Sequence, residues 1–203
     1  DTRSAAVCDV YMGAFYYLCD RLDEAMASLE RGLQTAESLG DDDIQASTVA
    51  FKGLYYYIQG LYREAADCFE HALAVEHTRD DRVFNQYLPL FIGHSAALIG
   101  HFNRAVGVLD AYRRKAQLEG DKSWATLYQA SLAMVLLRMN RRKEALAHIN
   151  EAREVAIETS NDRALYFAHR GLILYHYMEG RYSEAEEVAR QASSYEQPER
   201  DYT

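Results

Sequence analysis

The side chains that could carry metal or redox chemistry are few and widely spaced in this chain. His169 and His176 lie two turns apart on one predicted helix, but no third ligand at a metal-binding spacing accompanies them. We therefore predict no metal site and interpret the two histidines as ordinary buried or exposed side chains.

The three cysteines do not form a disulfide framework. Cys8 and Cys19 would lie about 16 Å apart on one helix, which is too far for a disulfide. Cys68 belongs to another predicted helix. Reduced thiols are typical of cytoplasmic proteins, so we predict a cytoplasmic localisation.

Motifs for catalysis are absent from the sequence. It contains no Gly-rich phosphate loop, no nucleophile elbow, no His-Glu-x-x-His and no Cys-x-x-Cys. Most carboxylates fall in predicted turns and on polar helix faces, where single acidic groups solvate a surface. We predict no catalytic residue, no cofactor and no enzymatic activity.

The charge and hydropathy of the chain argue against two classes of partner, nucleic acids and membranes. Its 31 acidic and 22 basic residues give a net charge of −9, which argues against a nucleic-acid groove. No apolar run approaches the roughly 20 residues that span a bilayer, so we predict no membrane partner. The chain lacks an initial Met and starts almost inside a helical pattern, and we expect it to be a segment of a larger protein.

A seven-residue signature, complete as Gln59–Ala65, recurs every 40 residues. Its last position is always alanine, at Ala25, Ala65, Ala105, Ala145 and Ala185. A fixed period of this length is typical of a repeat architecture in which each unit packs on its neighbours. Amphipathic patterns predict first helices at 4–18, 43–59, 83–99, 123–138 and 163–179. Second helices are predicted at 22–39, 62–77, 102–119, 142–159 and 182–194.

Residues typical of turns and helix caps lie at the predicted ends of these helices. Side-chain oxygens in the turns before the first helices can cap free N–H groups, as in Asp41–Asp43, Asp80–Asp81, Asp121 and Asn161–Asp162. Gly40 and Gly120 are placed to end second helices. Pro89 falls inside the third first helix, where it either kinks the helix or marks a late start.

Small and large residues occupy fixed places in the 40-residue frame. Twelve residues before each signature alanine stand Gly13, Gly53, Gly93, Ala133 and Ile173. Four residues after it stand Leu29, Phe69, Leu109, Ile149 and Ala189. Large side chains beside small ones are what stacked helical hairpins require, and the fifth repeat departs from this pattern.

This pattern resembles the tetratricopeptide repeat. The second repeat matches that family's positions completely, with Gly53, Tyr56, Gly60, Tyr62, Ala65, Phe69 and Ala72. The resemblance implies an all-α, right-handed α-α superhelix, or solenoid, of five hairpins and about ten helices. It implies one domain over 1–203, with repeats at about 4–39, 43–79, 83–119, 123–159 and 163–194. The long 40-residue unit looks like those in large bacterial signal-transducing ATPases and transcription regulators.

The family resemblance also implies a binding surface. Its first helices line a concave groove, and the partner-binding positions here would be Tyr17, Leu54, Tyr57, Tyr87, Leu90, His94, Met134, Arg170, Leu174 and Tyr177. Each tyrosine could instead pack one helix of its hairpin against the other. The groove reading predicts a scaffold that binds a partner peptide or helix, as the regulatory part of a larger bacterial regulator. The alternative is an effector-sensing domain that relays a small molecule to an attached ATPase or DNA-binding domain, and self-association is a further possibility.

Overall fold

The computed structural model describes residues 1–76 and 82–193, and these residues form helices joined by short turns. The helices are α1 Thr2–Leu18, α2 Leu22–Leu39, α3 Asp42–Ile58, α4 Tyr62–Glu76, α5 Arg82–Leu98, α6 Phe102–Leu118, α7 Lys122–Arg138, α8 Arg142–Glu158, α9 Asp162–Met178 and α10 Tyr182–Ser193. The all-α helical solenoid predicted from the repeat is confirmed. Every odd-numbered helix begins 40 residues after the previous one, so the sequence period is also the structural period.

The chain divides into two compact units, Asp1–Gly100 and His101–Thr203. In unit 1, consecutive helices from α1 to α5 pack on one another, and α1 also contacts α3. In unit 2, consecutive helices from α6 to α10 pack in the same way, and α7 contacts α9. The boundary falls within the third repeat, and the expected single domain over 1–203 stays a prediction.

Side-chain caps begin the odd-numbered helices. Carboxylates of Asp41 and Asp121 accept hydrogen bonds from the backbone N–H groups of Ile44 and Trp124, both at 3.1 Å. Asn161 accepts from Ala164 N–H at 3.0 Å. These caps satisfy donors that a helix start leaves free, as the sequence predicts. The predicted cap at Asp80–Asp81 lies outside the described residues.

The turns inside the hairpins need a left-handed residue. Gly60 has φ +76°, a conformation that costs glycine little because it has no Cβ. Asp20 and Asn140 adopt the same conformation at the equivalent positions, with φ 57° and 59°. Asp and Asn tolerate this region better than most residues, which explains why they can replace Gly here.

Close helix packing in unit 1 depends on the small residues of the first helices. A methyl group at Gly53 would lie 2.7 Å from Cε1 of Phe69, and one at Gly13 would lie 2.7 Å from Cγ of Leu29. Phe69 is fully buried and stacks on Phe91, with ring centroids 5.1 Å apart. The predicted pairing of small with large residues is therefore confirmed in the first two repeats.

The structure tests one of the two interpretations of Pro89, the late helix start. Helix α5 runs without a break from Arg82 to Leu98, so the late start is wrong. Pro89 is buried between Leu88 and Leu90, which are buried as well. Proline removes one backbone hydrogen bond and its ring crowds the carbonyl four residues earlier, and the buried packing of its neighbours holds the helix together in spite of this cost.

Candidate functional site

A cavity of about 480 Å³ opens between three helices of unit 2. We call it the α9 pocket. Its walls come from α7, α9 and α10, and its lining residues are Met134, Arg170, Ile173, Leu174, Tyr177, Ala185, Glu186 and Ala189. The structure therefore brings together four of the residues predicted from the sequence, namely Met134, Arg170, Leu174 and Tyr177.

Helix α9 presents one face to this pocket. Arg170, Ile173, Leu174 and Tyr177 follow one another at intervals of three or four residues, which places them on one side of a helix. Next to this face, a methyl group at Gly171 would lie 3.1 Å from Cγ1 of Ile149 and 3.7 Å from Sδ of Met134. The missing side chain of Gly171 thus allows α7 and α8 to approach α9 closely.

The pocket coincides with the departure of the fifth repeat from the residue-size pattern. Ile173 stands where the first three repeats have glycine, and Ala189 stands where they have leucine or phenylalanine. Helix α10 therefore has only the methyl group of Ala189 where the first three repeats have a large apolar side chain, and Ala185 and Glu186 line the pocket beside it. The sequence pattern contained this signal, but Ile173, Ala185, Glu186 and Ala189 were not predicted as site residues.

Charged groups flank the apolar floor of the pocket. The guanidinium carbon of Arg170 lies 5.8 Å from the ring centroid of Tyr166 and 5.7 Å from that of Phe167. Arg170 is exposed and has no carboxylate partner within residues 1–76 and 82–193. Glu186 lies on the α10 side, so the pocket offers a cationic group on one wall and an anionic group on another.

Tyr177 forms an aromatic edge of the pocket. Its ring packs edge-on against Tyr182, with centroids 5.5 Å apart at an interplanar angle of 61°. Tyr177 nevertheless keeps 63% of its surface exposed. An exposed ring held by a neighbouring ring can contact a partner without much loss of side-chain freedom.

The predicted residues of unit 1 are more involved in packing. The Tyr57 ring contacts Tyr62 and Phe91, with centroid distances of 5.4 and 5.9 Å. Tyr17 is half-buried, and burial raises the pKa of its hydroxyl. Leu90 is only 4% exposed, so little of its side chain is accessible to a partner in this structure.

The other three predicted residues of unit 1, Leu54, Tyr87 and His94, are half-buried. Each therefore keeps some surface for a partner. The α9 pocket groups four of the predicted residues, which makes it the better-defined candidate.

The histidines of α9 lie on parts of the helix outside the pocket lining. His169 is buried, and this burial lowers the pKa of its imidazole, with a smaller contribution from the charge of Arg153. Burial also lowers the pKa of His176. In the part of the chain that the structure describes, no three potential ligands are grouped around a metal position. None of the described helices is long and apolar enough to cross a membrane.

Comparison with known families identifies the repeat. The family model described as "Tetratricopeptide repeat" matches residues 4–75. No curated protein matches the sequence.

Solved structures extend the likeness over the whole chain. The Signal Transduction ATPase with Numerous Domains protein with a tetratricopeptide repeat sensor from Pyrococcus horikoshii has a TM-score of 0.81 at 18% identity. The match covers 98% of this chain and 32% of that one. The Rap protein complexed with competence and sporulation factor has a TM-score of 0.76 at 14% identity, covering 94% and 54% of the two chains. BtubC from P. vanneervenii has a TM-score of 0.73 at 13% identity, covering 100% and 84%.

These identities are low, so the structural likeness establishes the fold alone. This chain spans about a third of the first structure and about half of the second. Residues 4–75 match the tetratricopeptide-repeat family, and the described chain as a whole shares the fold of solved tetratricopeptide-repeat structures.

Proposed function

We propose that this chain binds a segment of a partner protein, and that the α9 pocket receives an apolar side chain of that segment. Tetratricopeptide repeats generally serve as scaffolds for protein–protein interaction. The observation that carries the proposal is the pocket itself, in which four predicted groove positions of α7 and α9 meet the small residues of α10.

The pocket's dimensions and chemistry describe the segment that it would accept. A volume of about 480 Å³ lies within the range of protein ligand sites and holds a large aliphatic or aromatic side chain. Burying such a side chain contributes roughly 1.5–3 kcal/mol to binding. Arg170 favours a carboxylate close to that side chain, so an amphipathic helix or extended segment with adjacent apolar and acidic residues fits best.

Filling the pocket tests this proposal. In Ala189→Leu, the new side chain would extend from α10 into the space where a partner's side chain is expected. Peptides selected on the wild-type chain from a displayed library should bind this variant at least about tenfold more weakly, which corresponds to about 1.4 kcal/mol. Calorimetry gives the affinity, and circular dichroism shows whether the variant keeps its helices.

Two further variants keep that experiment decisive. Tyr177→Ala removes an exposed ring of the pocket and should weaken the same peptides without requiring any repacking. Leu118→Ala removes an apolar side chain that is 90% exposed on α6, outside the pocket, and should leave their affinity unchanged. Equal binding to the wild-type chain, Ala189→Leu and Tyr177→Ala would refute the pocket as the binding site.

We infer further that the chain is a regulatory segment of a larger cytoplasmic bacterial protein, acting without direct contact to nucleic acid or membrane. The support is its likeness to the tetratricopeptide sensor of a multidomain signal-transduction ATPase, of which it spans about a third. The same likeness favours the second candidate, a sensor that relays an effector to an attached ATPase or DNA-binding domain. The parent gene tests both, because a product without an ATPase or a DNA-binding domain would remove the relay.

A further inference from the structure

Helix α1 carries an apolar face that no part of the described chain covers. Cys8, Tyr11, Met12 and Phe15 follow at intervals that place them on one side of the helix. We call this set the α1 stripe. Tyr11 is 70% exposed, Met12 41% and Phe15 54%, and Cys8 is exposed as well. Three large apolar side chains side by side in solvent are unusual for a folded surface.

The same positions are covered in the later repeats. At multiples of 40 residues after Cys8, the side chains of Thr48, Leu88, Tyr128 and Ala168 are all buried. At the corresponding steps after Met12, those of Ile92, Leu132 and Leu172 are buried, and Lys52 is half-buried. The α1 stripe therefore occupies a face that belongs to the interior wherever another hairpin precedes it.

The element that covers this face is the second helix of the preceding hairpin. Phe69 of α4 stacks on Phe91, which is equivalent to Tyr11, at 5.1 Å between ring centroids. Tyr112 of α6 contacts Tyr128, which is equivalent to Cys8, at 6.0 Å. In the α8–α9 pair, Ala152 belongs to one buried cluster with Ala168, a further equivalent of Cys8.

We propose that the α1 stripe is the docking surface for the second helix of a further 40-residue hairpin, which precedes α1 on the same polypeptide. The contacts in the later repeats predict which residue types that helix should carry. In that helix, the position equivalent to Leu29 and Phe69, which lies 40 residues before Leu29, should hold a large apolar residue. This residue would contact Tyr11, as Phe69 contacts Phe91. The residue three positions later should meet Cys8, and the equivalent positions of this chain hold Gly32, Ala72, Tyr112 and Ala152.

A second copy of the chain fits the stripe less well. Head-to-tail stacking of two copies would place α10 of one copy on α1 of the other. Helix α10 has Ala189 where α4 has Phe69, so Tyr11 would lack its large partner. Exposed Glu186, Glu187 and Arg190 add charge to the surface of α10, which disfavours an apolar interface.

The test uses Cys8 as a probe, in Cys19→Ser/Cys68→Ser versions of the 203-residue chain and of its parent polypeptide. Maleimide labelling of Cys8 should be at least about tenfold slower in the parent polypeptide, because docking buries the thiol. Equal labelling rates in the two proteins would overturn the proposal. A parent gene that encodes no helical hairpin before α1 would overturn it as well.

A charge in the stripe provides a second readout. Tyr11→Glu should lower the melting temperature of the parent polypeptide and leave that of the 203-residue chain unchanged, since Tyr11 is exposed there. The matched control is Ile157→Glu on α8, which is 62% exposed and should have no effect in either protein. If sedimentation shows that the 203-residue chain forms a dimer in which Cys8 is protected, the occupant is a second copy and the proposal fails.

Discussion

The second and fifth hairpins use the same frame with the residue sizes reversed. In the second hairpin, Gly53 of α3 lies against Phe69 of α4, and the aromatic side chain is fully buried. In the fifth, the large residue is Ile173 on α9 and the small one is Ala189 on α10. The first arrangement gives a packed interior, and the second borders a cavity of about 480 Å³.

This difference shows how a repeat protein can gain a site without changing its fold. In both hairpins the helices begin at the same positions of the 40-residue frame. Both also have the same left-handed turn, with φ +76° at Gly60 and +73° at Gly180. Only the distribution of side-chain volume differs. We infer that the second hairpin contributes mainly stability, whereas the fifth exchanges some packing for an accessible surface.

The largest expected effect is the loss of Phe69. Phe69→Ala should lower the free energy of unfolding by about 3–5 kcal/mol, because it leaves a cavity between Gly53 and Phe91. Chemical denaturation of the wild-type chain and the variant measures this difference. If Phe69→Ala lowered the free energy of unfolding no more than Leu118→Ala at an exposed position of unit 2, the second hairpin would not have the tightly packed interior described above.

A smaller effect is expected from adding one methyl group at Gly53. Gly53→Ala should destabilise the chain by about 1–3 kcal/mol, because the new Cβ would lie 2.7 Å from the Phe69 ring. Gly107→Ala on α6 is the matched control, since nothing lies within 4 Å of its Cβ position. That control should stabilise the chain by about 0.5–1 kcal/mol through helix propensity. Equal effects of the two substitutions would show that α3 and α4 are not in close contact.

The smallest expected effect is a pH dependence of stability, which comes from histidines at two positions of the fifth hairpin where the second has none. The fifth has His169 and His176 where the second has Val49 and Tyr56. Burial lowers the pKa of both imidazoles below the ordinary value of about 6.5 that they have in the unfolded chain. The unfolded state therefore binds more protons below that pH, and stability should fall as the pH is lowered from 7.5 towards 5.

Replacing the buried histidine isolates its share of this effect. His169→Gln should weaken the pH dependence of the unfolding free energy, measured by denaturation at several pH values. The same slope in the variant and in the wild-type chain would assign the dependence to other groups, such as His176 or His148.

The sequence predicts the helices of this fold well because their ends depend on local chemistry. Asp41 and Asn161 cap the helices that follow them, and Gly60 adopts the left-handed turn, so each boundary is encoded within a few residues. Pro89 was harder to interpret. Its effect on α5 depends on the packing of buried neighbours, and the low helix propensity of proline alone does not include that packing.

The candidate site was predictable only in part for a related reason. Periodicity placed Met134, Arg170, Leu174 and Tyr177 on the faces of α7 and α9, and the structure groups them in one pocket. The contribution of α10 was missed because a cavity depends on what three helices leave empty. For Leu90, the position in the frame does not reveal how deeply the side chain is buried, and only 4% of it is exposed.

Trp124 and Cys68 give each unit its own probe of unfolding. The single tryptophan of the chain lies on α7 of unit 2, with its ring 5.9 Å from that of Tyr128. All three cysteines lie in unit 1. Tryptophan fluorescence therefore follows the melting of unit 2, and labelling of the half-buried Cys68 thiol, in a Cys8→Ser/Cys19→Ser version, follows that of unit 1. Coincident transitions would mean that the two units unfold as one cooperative body, and separate transitions would mean that each has a stability of its own.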